Sequence, residues 1–134
     1  MCPGVNDGEA LDRTLADFDP EVVSGTEALH EKFTRFLSSL GECAGTPEGE
    51  FSRHDAFYTE AWQDLERLEA AATRRANNEL TLESIEAIRD NLAELEALHR
   101  AGISRGEVDV ITKLFDTQFR MLVELENAKP RKEP

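Results

Sequence analysis

The stretch SIEAIRDNLAELEALH, residues 84–99, decides the fold. Its apolar residues recur at alternating spacings of three and four, which places them on one side of an α-helix. The positions in this series are Ile85, Ile88, Leu92, Leu95 and His99. Most of the residues between them are charged or small, so the opposite side of the helix suits water. The spacing therefore predicts a helix that packs along a seam against other helices.

Similar amphipathic patterns flank this stretch on both sides, and no segment alternates apolar and polar residues as a strand would. Two helix starts carry a capping box, in which a serine and a glutamate three residues later bond each other's backbone N–H groups. These boxes are Ser24 with Glu27 and Ser104 with Glu107. The predicted helices cover residues 8–18, 24–40, 52–76, 81–101 and 104–128.

The short turn at 101–104 makes the last two helices antiparallel neighbours. The glycine-rich residues 41–50 form a longer link, which is either a binding loop or a flexible one. The sequence therefore predicts an all-α fold, an antiparallel up-down-up-down four-helix bundle with a short extra N-terminal helix. Residues 1–128 form the predicted helical-bundle domain. The proline- and lysine-rich residues 129–134 are predicted to be a disordered C-terminal tail.

The chain is strongly acidic, with 28 Asp and Glu residues against 15 Lys and Arg residues and a net charge of −13. Residues 1–60 hold 13 of the acidic residues and 4 of the basic ones, so the excess is concentrated there. Such a field repels nucleic-acid phosphates and anionic membranes, which argues against direct binding to either. It attracts basic surfaces, and it also keeps a small protein soluble.

Sequence motifs for catalysis are lacking: there is no phosphate-binding loop, nucleophile elbow or zinc-protease motif. We therefore predict a non-enzymatic protein without a cofactor, acting as an adaptor, a chaperone-like partner or a charge-mimicking inhibitor or regulator. Its expected partner is a protein with a basic surface. The predicted contact residues are Glu27, Glu31, Glu42, Glu48, Glu50 and Asp55.

Metal binding is the alternative prediction. In an up-down bundle, one end collects groups that zinc accepts as ligands. These are Cys43, His54, Glu96 and His99, with Glu107 nearby. They lack the spacing of known zinc motifs, and the simpler interpretation makes His54 an exposed first-turn residue and gives the ring of His99 access to water.

A second metal hypothesis comes from the tetrapeptide EALH, which occurs at 27–30 and at 96–99. Di-metal helical bundles use Glu-x-x-His pairs from two helices. However, His30 lies near the start of its predicted helix and His99 near the end of a parallel one. A rise of 1.5 Å per residue puts them roughly 15–25 Å apart. Only a dimer could then bring the two pairs together.

Aromatic content leaves a homodimer open, because Phe57, Tyr58, Phe115 and Phe119 are many rings for one small core. Trp62 falls within an apolar stripe and is predicted to pack in the core. The two cysteines lie in glycine-flanked loops, and no apolar run is long enough to cross a membrane. We therefore expect a cytoplasmic protein with free thiols, although a disulfide between Cys2 and Cys43 stays open.

Overall fold

The computed structural model describes residues 16–131, and all regular structure in that range is helical. Two single-turn 3-10 helices, Pro47–Gly49 and Phe51–Arg53, connect the first two α-helices. The four α-helices are α1 (Pro20–Cys43), α2 (Asp55–Thr73), α3 (Glu79–Ala101) and α4 (Arg105–Asn127). The all-α prediction with four long helices is confirmed.

Each helix contributes one apolar face to a common core. Helix α1 packs against α2 and α4, and α3 also packs against both of them. All five residues of the α3 series that begins at Ile85 and ends at His99 are buried, as their spacing predicts. The matching faces of the other helices supply Leu29, Phe33, Leu37, Leu65, Phe115 and Leu122.

Phe33 is the centre of an aromatic cluster in the core. Its ring makes edge contacts with Phe57, Phe115 and Phe119 at centroid distances of 5.1, 4.9 and 5.0 Å. Edge-to-face pairs of this kind contribute about 0.5–1.5 kcal/mol each beyond the burial of their area. The rings that suggested a dimer interface therefore pack inside the chain's own core, and Tyr58 is buried with them.

Helix α1 begins earlier than the sequence predicts, and the capping box at Ser24 is wrong. Asp19 is the N-cap, and its side chain accepts a hydrogen bond from the N–H of Glu21 at 3.0 Å. Pro20 then occupies the first turn, where its missing N–H has no helical partner to lose. Ser24 lies inside the helix and donates to the Glu21 carbonyl. Proline also breaks helices, so Pro20 by itself does not mark this helix start in the sequence.

Other boundaries shift by a few residues. The capping box of Ser104 with Glu107 is present, with both bonds formed. Helices α2 and α3 begin at residues 55 and 79 instead of 52 and 81. Of the predicted helix over 8–18, the structure describes only residues 16–18, which have no regular secondary structure. Its remaining residues lie outside the described range.

Lys129 lies within the packed structure, so the predicted start of the tail falls inside the fold. Its ammonium is 1% exposed and donates to the side chains of Asn78, Thr81 and Glu126. The second carboxylate oxygen of Glu126 accepts the N–H of Asp19 at 3.0 Å. The start of α1 and the end of α4 are thereby joined to the start of α3.

The outer faces of the helices are mostly polar. Leu114 of α4 is 41% exposed, because it lies to one side of the seam through Phe115 and Phe119. Trp62 is half-buried at the margin of the core, and its indole N–H donates to Glu96 at 2.9 Å. Across residues 16–131, no helix has the length and apolar content that crossing a bilayer requires.

Candidate functional site

The segment between α1 and α2 folds back across the end of α1. Thr46 donates from both its N–H and its hydroxyl to the Cys43 carbonyl, at 3.0 and 2.6 Å. Gly49 is buried against the same place, where an added Cβ would lie 2.3 Å from the Cys43 carbonyl oxygen. Only glycine fits such a close approach of two backbone segments. The sequence leaves both a binding loop and a flexible loop open here, and in the structure the backbone of this segment is held against α1.

His99 anchors this segment from the far side. Its Nε2 lies 2.7 Å from the Gly49 carbonyl oxygen and its Nδ1 lies 2.7 Å from the Tyr58 hydroxyl. A carbonyl can only accept, so Nε2 carries the proton, and Nδ1 accepts from Tyr58. The ring is 2% exposed, not open to water as the sequence suggested. Both nitrogens of a neutral imidazole are therefore engaged.

Burial explains the protonation of this pair. It lowers the pKa of His99, and the nearby His54 acts in the same direction, while the hydrogen bond to Gly49 opposes them. Burial also raises the pKa of the Tyr58 hydroxyl, and the negative charge of Glu96 adds to the effect. His99 thus stays neutral and Tyr58 stays protonated around neutral pH.

His54 makes a second anchor next to the first. Its Nε2 donates to the Glu48 carbonyl at 2.8 Å, so two histidines hold two consecutive carbonyls. The two imidazole rings are 5.6 Å apart. His54 precedes α2 and is half-buried, in contrast to the exposed first-turn position that the sequence suggested. We call residues 43–55, together with Tyr58 and His99, the histidine end.

A groove of about 940 Å³ runs beside the histidine end, between the 45–52 segment and the turn from α3 to α4. The Arg100 guanidinium lies 4.1 Å from the centroid of the Phe51 ring on its wall and also bonds Glu96 at 2.9 Å. His99 borders the groove, but its two nitrogens are engaged, so it supplies no free base there.

The structure brings three of the four predicted metal ligands near one another without forming a metal site. Cys43 Sγ is 4.0 Å from His54 Nε2, and the lone pair of His99 Nδ1 is used by Tyr58. Glu96 instead accepts from Trp62 and Arg100, and Glu107 serves its capping box. Throughout the described range, no group of three or more His, Cys, Asp or Glu side chains could hold a metal ion.

The two EALH copies have separate surroundings. His30 stacks on Phe119 at 5.1 Å and pairs with Asp116 of α4 at 2.8 Å. His99 instead faces Tyr58 and Gly49, and Glu27 is exposed on the outer face of α1. A Glu-x-x-His pair needs both side chains directed at one ion, which neither copy provides.

All six predicted contact residues are exposed. Three of them, Glu48, Glu50 and Asp55, lie at the histidine end, and Glu42 directly precedes it in α1. Glu31 and Glu27 lie along α1, about 16 and 22 Å from Glu42 at 1.5 Å per residue. We call these six residues the acidic surface.

The carboxylates of the acidic surface differ in their local partners. The pKa of Glu48 is lowered by its own backbone N–H, by the Thr46 hydroxyl and by the charge of Arg53. Glu31 pairs with Arg35. Within residues 16–131 the other four, Glu27, Glu42, Glu50 and Asp55, form no ion pair.

No protein-family model, curated protein or solved structure matches this chain. Its function is therefore argued from its own geometry. The sequence predicted the exposed carboxylates but not the hydrogen bonds that join His99 to Tyr58 and to the Gly49 carbonyl. The only signal for them was a histidine in a seam position, where a polar side chain needs buried partners.

Proposed function

We propose that this protein is a non-catalytic binding protein whose acidic surface docks on a basic surface of another protein. The observation that carries the proposal is the fixed backbone under these acids. Two histidines and Gly49 hold the 44–54 segment in one conformation while its carboxylates point to water. A surface that is already ordered loses little conformational entropy when a partner binds.

Electrostatics gives this interaction its expected character. Exposed carboxylates speed the approach of a basic partner, and salt screens them beyond about 8–10 Å at ordinary ionic strength. Binding should therefore weaken steeply as salt is added, mainly through slower association. Adaptor, chaperone-like and charge-mimicking inhibitory roles all use such a surface, and the proposal covers all three.

The finer architecture belongs to the same proposal. The three-residue link 102–104 between α3 and α4 favours an antiparallel pair. We extend this alternation to all four helices as an up-down-up-down bundle, in a single domain. A cytoplasmic location is part of the same proposal and rests on the charge and on the free thiol expected for Cys43.

Two matched triple variants test the acidic surface. Glu27→Gln, Glu42→Gln and Glu50→Gln together remove three charges from it without breaking an ion pair of the described chain. Glu60→Gln, Glu66→Gln and Glu86→Gln together remove three exposed charges elsewhere. Affinity capture from the native cell, followed by mass spectrometry at low and moderate salt, should recover a basic partner with the wild type and the second variant.

The first variant should lose that partner while its circular dichroism spectrum and unfolding midpoint stay those of the wild type. An equal loss of the partner in both variants would show that the net charge of the protein, and not this surface, determines binding. Recovery that is unaffected by salt would contradict an electrostatic contact altogether.

A further inference from the structure

One row of exposed apolar residues on α4 is not explained by the core or by the acidic surface. Val110, Leu114 and Met121 are 68, 41 and 62% exposed. Together with Thr117 they follow spacings of four, three and four, so they form one continuous stripe along the helix. Apolar residues scattered singly on a surface are ordinary, but an aligned stripe indicates a surface for binding.

The stripe borders a groove between α4 and α3. Leu98 of α3 lines this groove with Val110 and Ile111 of α4, and its volume is about 440 Å³. Leu98 and Ile111 pack against the core from its floor. Exposed Val110 lies at its edge, so the groove has an apolar floor and an apolar rim, and Leu114 and Met121 extend this rim along α4.

Acidic residues extend along α3 from the side of the helix that carries Leu98. Glu94 lies one helical turn before Leu98 and seven residues after Ala87, so the three share a side of α3. Glu83 and Asp90 lie one turn before Ala87 and Glu94 respectively, and all three acids are exposed. None of them pairs with a basic side chain in the described part of the chain. We call Glu83, Asp90 and Glu94 the α3 acidic row.

The other side of the stripe is mixed in charge. Lys113 and Arg120 alternate there with Asp109 and Glu124. The groove thus has a negative margin on one side and a nearly balanced margin on the other. A ligand that matches it needs apolar groups along one line and positive groups along one flank of that line.

We infer that the groove between α3 and α4 binds a basic amphipathic helix of another protein. The stripe from Val110 to Met121 is about 16 Å long at 1.5 Å per residue, which matches three turns of a bound helix. Aliphatic side chains of that helix at i, i+3, i+4 and i+7 enter the groove, and its Lys or Arg residues face the α3 acidic row. A second copy of this chain is a poorer occupant, because it brings the same acidic row and a net charge of −13.

This groove is separate from the acidic surface of α1 and the histidine end, so the inference does not depend on the proposed function. The probe is a synthetic helical peptide of leucine and lysine with leucine at the i, i+3, i+4 and i+7 positions. A scrambled peptide of the same composition has the same charge without the apolar face. We expect the amphipathic peptide to bind at least tenfold more tightly and to shift the methyl NMR signals of Val110, Leu114 and Met121.

Protein variants separate the two surfaces. Val110→Ser with Met121→Ser should weaken binding of the amphipathic peptide about tenfold or more, because both changes remove apolar surface that the bound peptide buries. Glu83→Gln, Asp90→Asn and Glu94→Gln together should weaken it several-fold and flatten its salt dependence. The Glu27, Glu42 and Glu50 triple variant should bind it as the wild type does.

Three results would overturn the inference. Equal binding of the amphipathic and scrambled peptides would show attraction by charge alone. Loss of the peptide in the Glu27, Glu42 and Glu50 variant, with no loss in the groove variants, would place binding on the acidic surface. A wild-type dimer in sedimentation that the Val110 and Met121 changes convert to a monomer would make a second copy the occupant.

Discussion

The two ends of α3 are closed by different kinds of buried polar side chain. At the histidine end, His99 is neutral and bonds a hydroxyl and a carbonyl. At the other end Lys129 is charged and donates all three of its protons, to Asn78, Thr81 and Glu126. We call that group the lysine end. Each end ties a chain segment to α3, but one does so with a neutral imidazole, which takes up a proton only in acid, and the other with an ion pair.

The difference matters because the loss of a partner costs more free energy for a buried charge than for a buried neutral group. Removing one partner of a buried ion pair leaves an uncompensated charge and costs about 3–5 kcal/mol. Leaving a neutral polar group unsatisfied costs about 1–3 kcal/mol. The lysine end should therefore dominate the stability of the chain, while the histidine end should respond more to conditions. Glu48, Glu50 and Asp55 of the acidic surface lie at the histidine end.

The largest expected effect is that of Lys129→Met. It keeps the length of the side chain but leaves the Glu126 carboxylate, which is 0% exposed, without a cation. We expect the free energy of unfolding to fall by about 3–5 kcal/mol, measured by urea denaturation. Lys113→Met, at an exposed position of α4, is the control and should change it by less than about 0.5 kcal/mol. A Lys129 variant as stable as the control would mean that the residue belongs to the tail after all.

How far sequence could predict these two ends is clear from their positions. The buried series of α4 through Phe115, Phe119 and Leu122 continues at the same spacing to Glu126 and Lys129. Likewise, His99 ends the buried series of α3. Helical spacing thus indicates which side these residues face. It does not indicate their partners, which come from segments distant in the chain, and so Lys129 reads as part of a polar tail.

In the acidic surface and the 44–54 segment beneath it, the sequence again indicates which residues are exposed but not the contacts that hold the backbone. Exposure of Glu27 and Glu42 follows directly from the apolar stripe of α1. The fixed course of the loop depends on Gly49 meeting Cys43 and on two histidines reaching carbonyls, none of which has a periodic pattern. The prediction of where α1 begins was wrong for a related reason. A proline can end a helix or start one, and only the capping hydrogen bond of Asp19 distinguishes the two cases.

Gly49→Ala tests the histidine end by sterics. The new methyl would lie 2.3 Å from the Cys43 carbonyl oxygen, so the loop backbone has to move away from α1. We expect a loss of about 1–3 kcal/mol in the free energy of unfolding, as for other forced insertions into packed sites. Gly106→Ala, where an added Cβ meets nothing within 4 Å, should leave stability equal or higher. Equal behaviour of the two variants would show that the loop is loosely held.

As the pH falls, the histidine end should lose part of its contribution to the free energy of unfolding. Burial lowers the pKa of His99 in the folded chain, so the unfolded chain takes up a proton near the usual 6.5 while the folded chain does not. Stability from this residue is therefore complete above that value and is lost as the pH falls towards the lowered pKa. The unfolding midpoint in urea should decrease over that interval, and the imidazole NMR signal of His99 should titrate at the lower pKa.

His99→Gln is the control for this pH effect, since its side-chain amide can still donate to Gly49. The variant should lose the part of the pH dependence that belongs to His99. The carboxylates of Asp64, Glu96 and Glu107, whose pKa values are lowered in the fold, lose their contributions only in more acidic solution. A pH profile identical in wild type and variant would remove His99 as the responsive group.

The smallest expected effect comes from an exposed cation near the lysine end, and it sharpens the contrast with Lys129. Arg74 on the surface bonds Glu21 at 2.9 Å, and the two side chains are 64 and 67% exposed. Water and salt screen such a pair, so Arg74→Ala should lower the free energy of unfolding by about 0–1 kcal/mol, and by less in added salt. Lys129→Met removes the same charge from the same region with a several-fold larger loss. If urea denaturation gave both variants the same loss, the net charge would decide the stability of this end, and the buried contacts of Lys129 would contribute little.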